Sequence, residues 1–323
     1  MIDRERTDLE GALATVVDRC LGIKAGEDAL VIADLGTRAI GESLRQAAAA
    51  RGADAVLALM DERATDGTEP PRPIAAALAV CDVYIAATFR SLSHTTARKQ
   101  ATDAGARGAT MPGVTAEMLT RVMAVDFDSM LTCSNEVADL LTAGRRAHIT
   151  CPLGTDASID LRGRTGIADS GDLTGTGAFG NLPCGEAYIA PASGEGRIVV
   201  SSLAPLGLSD EPAMLTMRGG RLVAARGGLG PEYLRLLQAH GKRGTNLAEL
   251  GVGTNARAKL TGNVLEDEKI LGTVHVAFGA SATIGGTVSV PIHLDVVVSN
   301  ASLTIDRRPV LESGRLVLDS MPS

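Results

Sequence analysis

Histidine is scarce in this 323-residue chain, with five in all: His94, His148, His240, His275 and His293. Two of them lie inside apolar runs, where packing alone would place Val or Ile. In V-P-I-H-L-D-V-V-V, residues 290–298, the alternation of a strand puts Ile292, Leu294 and Val296 on one face and His293 and Asp295 on the other. An imidazole and a carboxylate two residues apart then share a space about 7 Å long. That pairing suits Zn or Fe. A buried His–Asp pair joined by a hydrogen bond is the other reading of the same spacing. In G-T-V-H-V-A-F-G, residues 272–279, His275 stands between Val274 and Val276. Alone it reads as a core histidine satisfied by a backbone carbonyl. With His293 close behind it in the chain, two neighbouring strands could bring both imidazoles together.

Two carboxylates upstream could complete a metal site. Glu186 ends G-N-L-P-C-G-E, residues 180–186, a rigid turn that opens into an apolar strand. Glu249 sits in A-E-L-G-V-G-T-N, residues 248–255, acidic among apolar residues and glycines. The triplet Glu266-Asp267-Glu268 reads as a solvated loop or helix start. His94, in S-L-S-H-T-T-A-R (residues 91–98), follows an apolar run at 83–88. Open α/β sheets place functional groups at such carboxyl ends; a histidine in a helix-capping loop is the alternative. Arg90, Arg98 and Arg121 could hold a substrate carboxylate by bidentate contacts. The turn at Gly36 lacks G-x-G-x-x-G, and G-T-G-A-F-G at 175–180 has no Lys-Ser/Thr after it. Neither a dinucleotide nor a P-loop nucleotide is expected.

These groups must be held by two kinds of scaffold. Residues 1–145 alternate short apolar strands (29–34, 55–60, 83–88, 107–111) with helical stretches, including 37–51, 95–105, 115–122 and 134–143. That pattern predicts a doubly wound α/β domain with a parallel sheet. Thr115 and Ser134 are the expected helix caps, and Gly144 the stop. Residues 146–323 change texture to strands broken by Gly loops, with one helix near 231–240 and a hairpin turn at Gly219-Gly220. They predict a β-rich α+β metal-binding catalytic domain. The site is expected in the cleft between the two.

Composition narrows the function. Acids outnumber bases 38 to 31, so the net charge is −7, and no dense basic run offers a nucleic-acid surface. Aromatics make up 2% and Trp is absent, so the core is aliphatic. The longest apolar stretches fall far short of the ~20 residues of a membrane span. The first ten residues are too charged for a signal peptide. Five cysteines without a C-x-x-C read as reduced thiols of a cytoplasmic protein.

Taken in order, G-N-L-P-C-G-E, A-E-L-G-V-G-T-N, G-N-V-L-E-D-E-K-I-L-G-T-V-H-V-A-F-G and H-L-D resemble the metallopeptidase family of aminopeptidases T and S. The resemblance implies that Glu186, Glu249, His275, His293 and Asp295 bind a close pair of divalent ions, Zn, Co or Mn, in a homodimer. It implies a metal-dependent hydrolase of aminopeptidase type acting on a small molecule or short peptide. Metal-activated water would attack a carbonyl, with Glu186 or Glu249 as ligand or general base. One departure stands out: the peptidases carry a Tyr seven residues after the T-V-H histidine, and here that position is Ala282. The 91–98 segment is instead similar to the branch of the same superfamily that contains 2,5-dihydroxypyridine 5,6-dioxygenase. That branch implies the alternative of a ring-cleaving dioxygenase with one Fe(II), and His94 as an acid–base residue. A purely structural metal is the third reading, for which five polar ligands would be excessive.

Overall fold

The computed structural model describes residues 2–318, with side chains from Asp8 onward. The chain divides into two compact units, residues 1–125 with 171–184, and residues 126–170 with 185–323.

The first unit begins with helix α1 (Ile2–Ala14) and a π-helical turn (Thr15–Cys20). Strand and helix then alternate: β1 (Asp28–Asp34), α2 (Arg38–Ala49), β2 (Asp54–Met60), α3 (Arg72–Leu78), β3 (Val83–Ala87), α4 (Thr96–Asp103), β4 (Arg107–Thr110) and α5 (Ala116–Val122). All the strand pairs are parallel, in the order β2-β1-β3-β4. Burial of β1 from Ala29 to Asp34 and of all of β3 explains their unbroken apolar runs, since a parallel sheet is covered on both faces. Thr95 and Thr115 cap α4 and α5 by accepting from the Arg98 and Met118 amides.

The second unit opens with α6 (Phe127–Ala143), β5 (Arg146–Thr150), β6 (Asp156–Asp160) and β7 (Ile167–Asp169). The chain then returns to the first unit for β8 (Phe179–Asn181), which lies parallel to β4 as the fifth strand of that sheet. It leaves again through β9 (Glu186–Ile189), β10 (Ser193–Leu203), β11 (Gly207–Met217) and β12 (Leu222–Arg226), with α7 (Gly230–Gln238) and α8 (Gly241–Gly244) following. Next come β13 (Leu247–Gly253), α9 (Val264–Asp267), β14 (Val274–Gly279), β15 (His293–Val298), β16 (Ser302–Ile305), β17 (Arg308–Glu312) and β18 (Arg315–Leu316). The large curled sheet runs β18-β17-β16-β5-β6-β10-β15-β14-β13-β9-β7, with β11 and β12 branching from β10. Gly219 and Gly220, both at positive φ, form the expected turn between β11 and β12.

The division differs from one cut near residue 145 in two ways. Helix α6 starts at Phe127 because Asp126 caps it, accepting from the Asp128 and Ser129 amides. Ser134 is no cap: it is buried within the helix, 2.7 Å from the Thr254 hydroxyl. Val137, Ala138 and Leu141 of α6 belong to the same apolar core as Ile149 and Ile189, which ties the helix to the second unit. Residues 171–184 rejoin the first unit through F-G-N, a strand too short and too glycine-rich to announce itself by pattern.

Candidate metal centre

Four neighbouring strands of the curled sheet, β9, β13, β14 and β15, build the site. On each, alternate residues turn into the apolar core: Ala187 and Ile189, Leu250 and Val252, Val274, Val276 and Phe278, Leu294, Val296 and Val298. The residues between them therefore share the other face, which carries Glu186, Glu249, His275, His293 and Asp295. Register sets the layout. Glu249 and Asp295 stand opposite Ala277 from either side, and His275 stands opposite Gly251. A Cβ on Gly251 would lie 1.9 Å from His275 Nε2, so only glycine leaves room for that ring. All five residues named from the sequence are brought together here.

Glu249 is the shared member. Its Oε1 lies 3.2 Å from His275 Nε2 and its Oε2 lies 3.3 Å from His293 Nε2. Glu186 Oε2 is 3.0 Å from His275 Nε2, and Asp295 Oδ2 is 3.7 Å from His293 Nε2. Two overlapping donor groups result, Glu186–Glu249–His275 and Glu249–His293–Asp295, each with donor atoms within 4.8 Å of one another. His293 Nδ1 is 2.7 Å from the Ala280 carbonyl. Donation there fixes the tautomer and leaves Nε2 turned toward Glu249 and Asp295.

The electrostatics are those of a cation site. Burial opposes charge on His275, but the Glu186 and Glu249 carboxylates outweigh it and hold the imidazole well above its usual pKa. His293, against the same penalty, is raised to about 10 by Asp295 and Glu249. Burial acts against Glu249 and Glu186 too, yet the histidines pull Glu249 down, while Lys269 and His275 pull down Glu186. Burial raises Asp295. His275 Nδ1 and Asp295 Oδ1 are buried without a hydrogen-bond partner, a costly state unless something else satisfies them. Imidazole and carboxylate donors with unspent lone pairs fit a divalent transition metal such as iron or zinc.

Of three charged residues beside the centre, Lys269 and Asp169 escaped the sequence reading and Glu268 was read as solvated. Lys269 is fully buried, with Nζ 2.5 Å from Glu186 Oε1, 2.6 Å from Glu268 Oε1 and 3.7 Å from Asp169 Oδ2. Burial raises Glu268 to about 8 and Asp169 to about 7, partly offset by Lys269. The acidic triplet is thus buried rather than solvated. Glu266 accepts from the Lys259 amide, and Asp267 accepts from Thr261, Gly262 and Ser202. The signal available was the E-D-E-K run itself, since an uncompensated run of charge beside an apolar strand asks for partners.

His94 lies in the first unit, in the loop between β3 and α4, and its side chain is exposed. Arg98 is buried, donating from Nε to the Ser93 carbonyl at 2.9 Å and stacking 4.0 Å above the Phe179 ring. It serves the loop, not a substrate carboxylate. Arg90 lies beside Glu62 and Asp66 at 3.5 and 4.0 Å, and Arg121 pairs with Glu117 at 3.3 Å. Among the described residues no helix is long and apolar enough to cross a membrane.

Comparison with known proteins bears on the chemistry. The NicX family, 2,5-dihydroxypyridine 5,6-dioxygenase, matches residues 10–318. A 2,5-dihydroxypyridine 5,6-dioxygenase of Pseudomonas putida KT2440 is 23% identical over 218 residues, 62% of each chain. The match thus spans less than two thirds of that relative's length. The solved structure of 2,5-dihydroxypyridine dioxygenase from Pseudomonas putida KT2440 has a TM-score of 0.82 at 18% identity, covering 97% of both chains. Wild-type AmpT from Thermus thermophilus has a TM-score of 0.70 at 18% identity, covering 97% of this chain and 100% of its own. These findings overturn the expectation of an aminopeptidase-type hydrolase. The likeness to AmpT is one of fold, and the family match names oxygenase chemistry.

Proposed function

Because the chain belongs to the 2,5-dihydroxypyridine 5,6-dioxygenase family, we propose that it is an iron(II)-dependent oxygenase that opens the ring of a hydroxylated nitrogen heteroaromatic. The observation that carries this reading is the extent of the match. Residues 10–318 include both the parallel sheet with His94 and all five residues of the donor cluster.

The residues that would hold the ion are His275, His293 and Asp295, with Glu249 lying between the two imidazoles. When bound, ferrous iron supplies the redox chemistry that lets a closed-shell aromatic ring react with dioxygen. The protein's own share is binding, orientation and proton management. Ala280 and the narrow space over Gly251 hold the two imidazoles in place. The aliphatic core beneath the strands keeps water from their far side. Glu186, anchored by Lys269, keeps a fixed carboxylate beside His275. Ring opening must take protons from the substrate's hydroxyl groups and return them to the product. His94, exposed in the loop after β3, is the group we assign to that exchange. Ala282 supports this chemistry over peptide hydrolysis: it lies exposed in a short 3₁₀ turn, Ala282–Ile284, and has no hydroxyl to offer.

The test is elemental analysis of protein purified anaerobically without chelator, followed by oxygen uptake with 2,5-dihydroxypyridine. About one iron per chain and one dioxygen consumed per ring opened are expected. Two zinc ions per chain, with no oxygen uptake after iron is supplied, would overturn the proposal.

A further inference from the structure

The loop that carries His94 is fastened far more heavily than a connection between a strand and a helix requires. Three carboxylates hold backbone amides of the loop and of the first residue of α4. Asp34, at the end of β1, accepts from Phe89 at 2.5 Å; Asp66 accepts from Ser91 at 2.7 Å; Glu69 accepts from Thr96 at 2.5 Å. Ser93, next to the histidine, is held through both its carbonyl and its hydroxyl. Arg98 Nε donates to its carbonyl at 2.9 Å. Its hydroxyl sits in a directed chain: Ser91 Oγ donates to Ser93 Oγ at 2.9 Å, which meets Thr110 Oγ1 at 2.7 Å, which donates to Asn181 Oδ1 at 2.7 Å. Thr110 and Asn181 are register partners on β4 and β8, so the chain ends on the sheet itself.

Burying these groups is costly. Asp34 is 2% exposed, Arg98 6% and Thr110 0%, and a polar group leaves water at a penalty that its hydrogen bonds only offset. Leu92, Ser93 and Thr95 are also buried, at 1%, 6% and 1%. His94 alone in that run is exposed. A rigid mount around a single exposed imidazole is what proton transfer needs, because a misplacement of 1 Å can cost on the order of 100-fold in rate.

We propose that the Ser93 clamp, with Arg98 on the carbonyl and Thr110 and Asn181 on the hydroxyl, is a positioning device that holds His94 for proton transfer during ring opening. This rests on the role of His94 proposed above. The clamp residues act through the histidine.

The test is a double-mutant cycle together with hydrogen exchange. Thr110→Val keeps the side-chain shape and removes the hydroxyl; Ser93→Ala removes the other end of the same bond and serves if the first variant folds poorly. In iron-loaded enzyme, Thr110→Val should lower kcat about tenfold or more with KM within about threefold and iron content unchanged. In a His94→Ala background it should lower kcat no further. In metal-free protein, amides 91–95 should exchange at least about tenfold faster in Thr110→Val than in wild type. An equal loss of kcat in both backgrounds would make the clamp a general structural support and overturn the inference, as would unchanged exchange. An active wild type whose kcat survives His94→Ala would refute the role of the histidine, and the clamp's purpose with it. A wild type that opens no ring would sink the proposed function instead. The exchange comparison, which needs neither iron nor substrate, would still decide whether the clamp holds the loop.

Discussion

Glu249 lies between two imidazoles, and much of the centre's behaviour follows from that position. In the metal-free protein the protons on His275 and His293 occupy the places of cations among Glu186, Glu249 and Asp295. A divalent ion must displace them, so its binding releases protons and tightens as pH rises. His293→Ala should remove most of the bound metal while the fold survives, because Leu294, Val296 and Val298 still pack the strand. Elemental analysis and circular dichroism on the same sample would check this; unchanged metal content would exclude His293 as a ligand. Gly251→Ala tests the same centre from below. The added Cβ would overlap His275 Nε2, so the ring must leave its place. Metal affinity should fall at least about tenfold, in the range seen when residues that orient a ligand are lost.

At the scale of elements, the curled sheet gathers the five candidate ligands by register, and the loop after β3 carries His94. His94→Ala should leave metal content unchanged and slow turnover about 100-fold, the usual share of a general acid or base. Loss of metal instead would make it a ligand. Helix α6 is tied to the segment after β13 by the buried Ser134–Thr254 hydrogen bond. Ser134→Ala leaves the Thr254 hydroxyl without that partner and should cost about 1 kcal/mol of stability, measurable by urea denaturation. Much of this was legible beforehand. The alternation in V-P-I-H-L-D-V-V-V already placed His293 and Asp295 on one face, because a strand has only two faces. The start of α6 was not legible, because Ser134 and Asp126 are equally good caps by type and only packing chose between them.

For the molecule as a whole, the centre makes stability depend on metal and pH together. His293 is raised from 6.5 to about 10 in the metal-free fold. A raised folded-state pKa contributes stability that is complete below about 6.5 and is lost as pH climbs through 10. Glu268, raised to about 8, and Asp169, raised to about 7, act in the same direction at lower pH. Metal-free protein should therefore unfold at lower denaturant concentration at pH 9.5 than at pH 7. Metal-loaded protein should lack the His293 part of that loss, since its imidazole is already unprotonated. Equal midpoints for the metal-free protein at the two pH values would contradict the charge arrangement described.

Residue type and spacing alone determined the parallel character of the first sheet and the shared face of His293 and Asp295, since these follow from local periodicity; the full set of five candidate ligands came with the family resemblance. The tertiary structure decided what periodicity cannot encode. It returned 171–184 to the first sheet, buried Glu266-Asp267-Glu268 with Lys269 beside the metal centre, and turned Arg98 from a substrate-binding candidate into a clamp on Ser93. Each of these depends on partners far away in sequence. A charge is solvated or buried according to what the fold brings to it, and a strand as short as F-G-N exists only because β4 offers it a ladder.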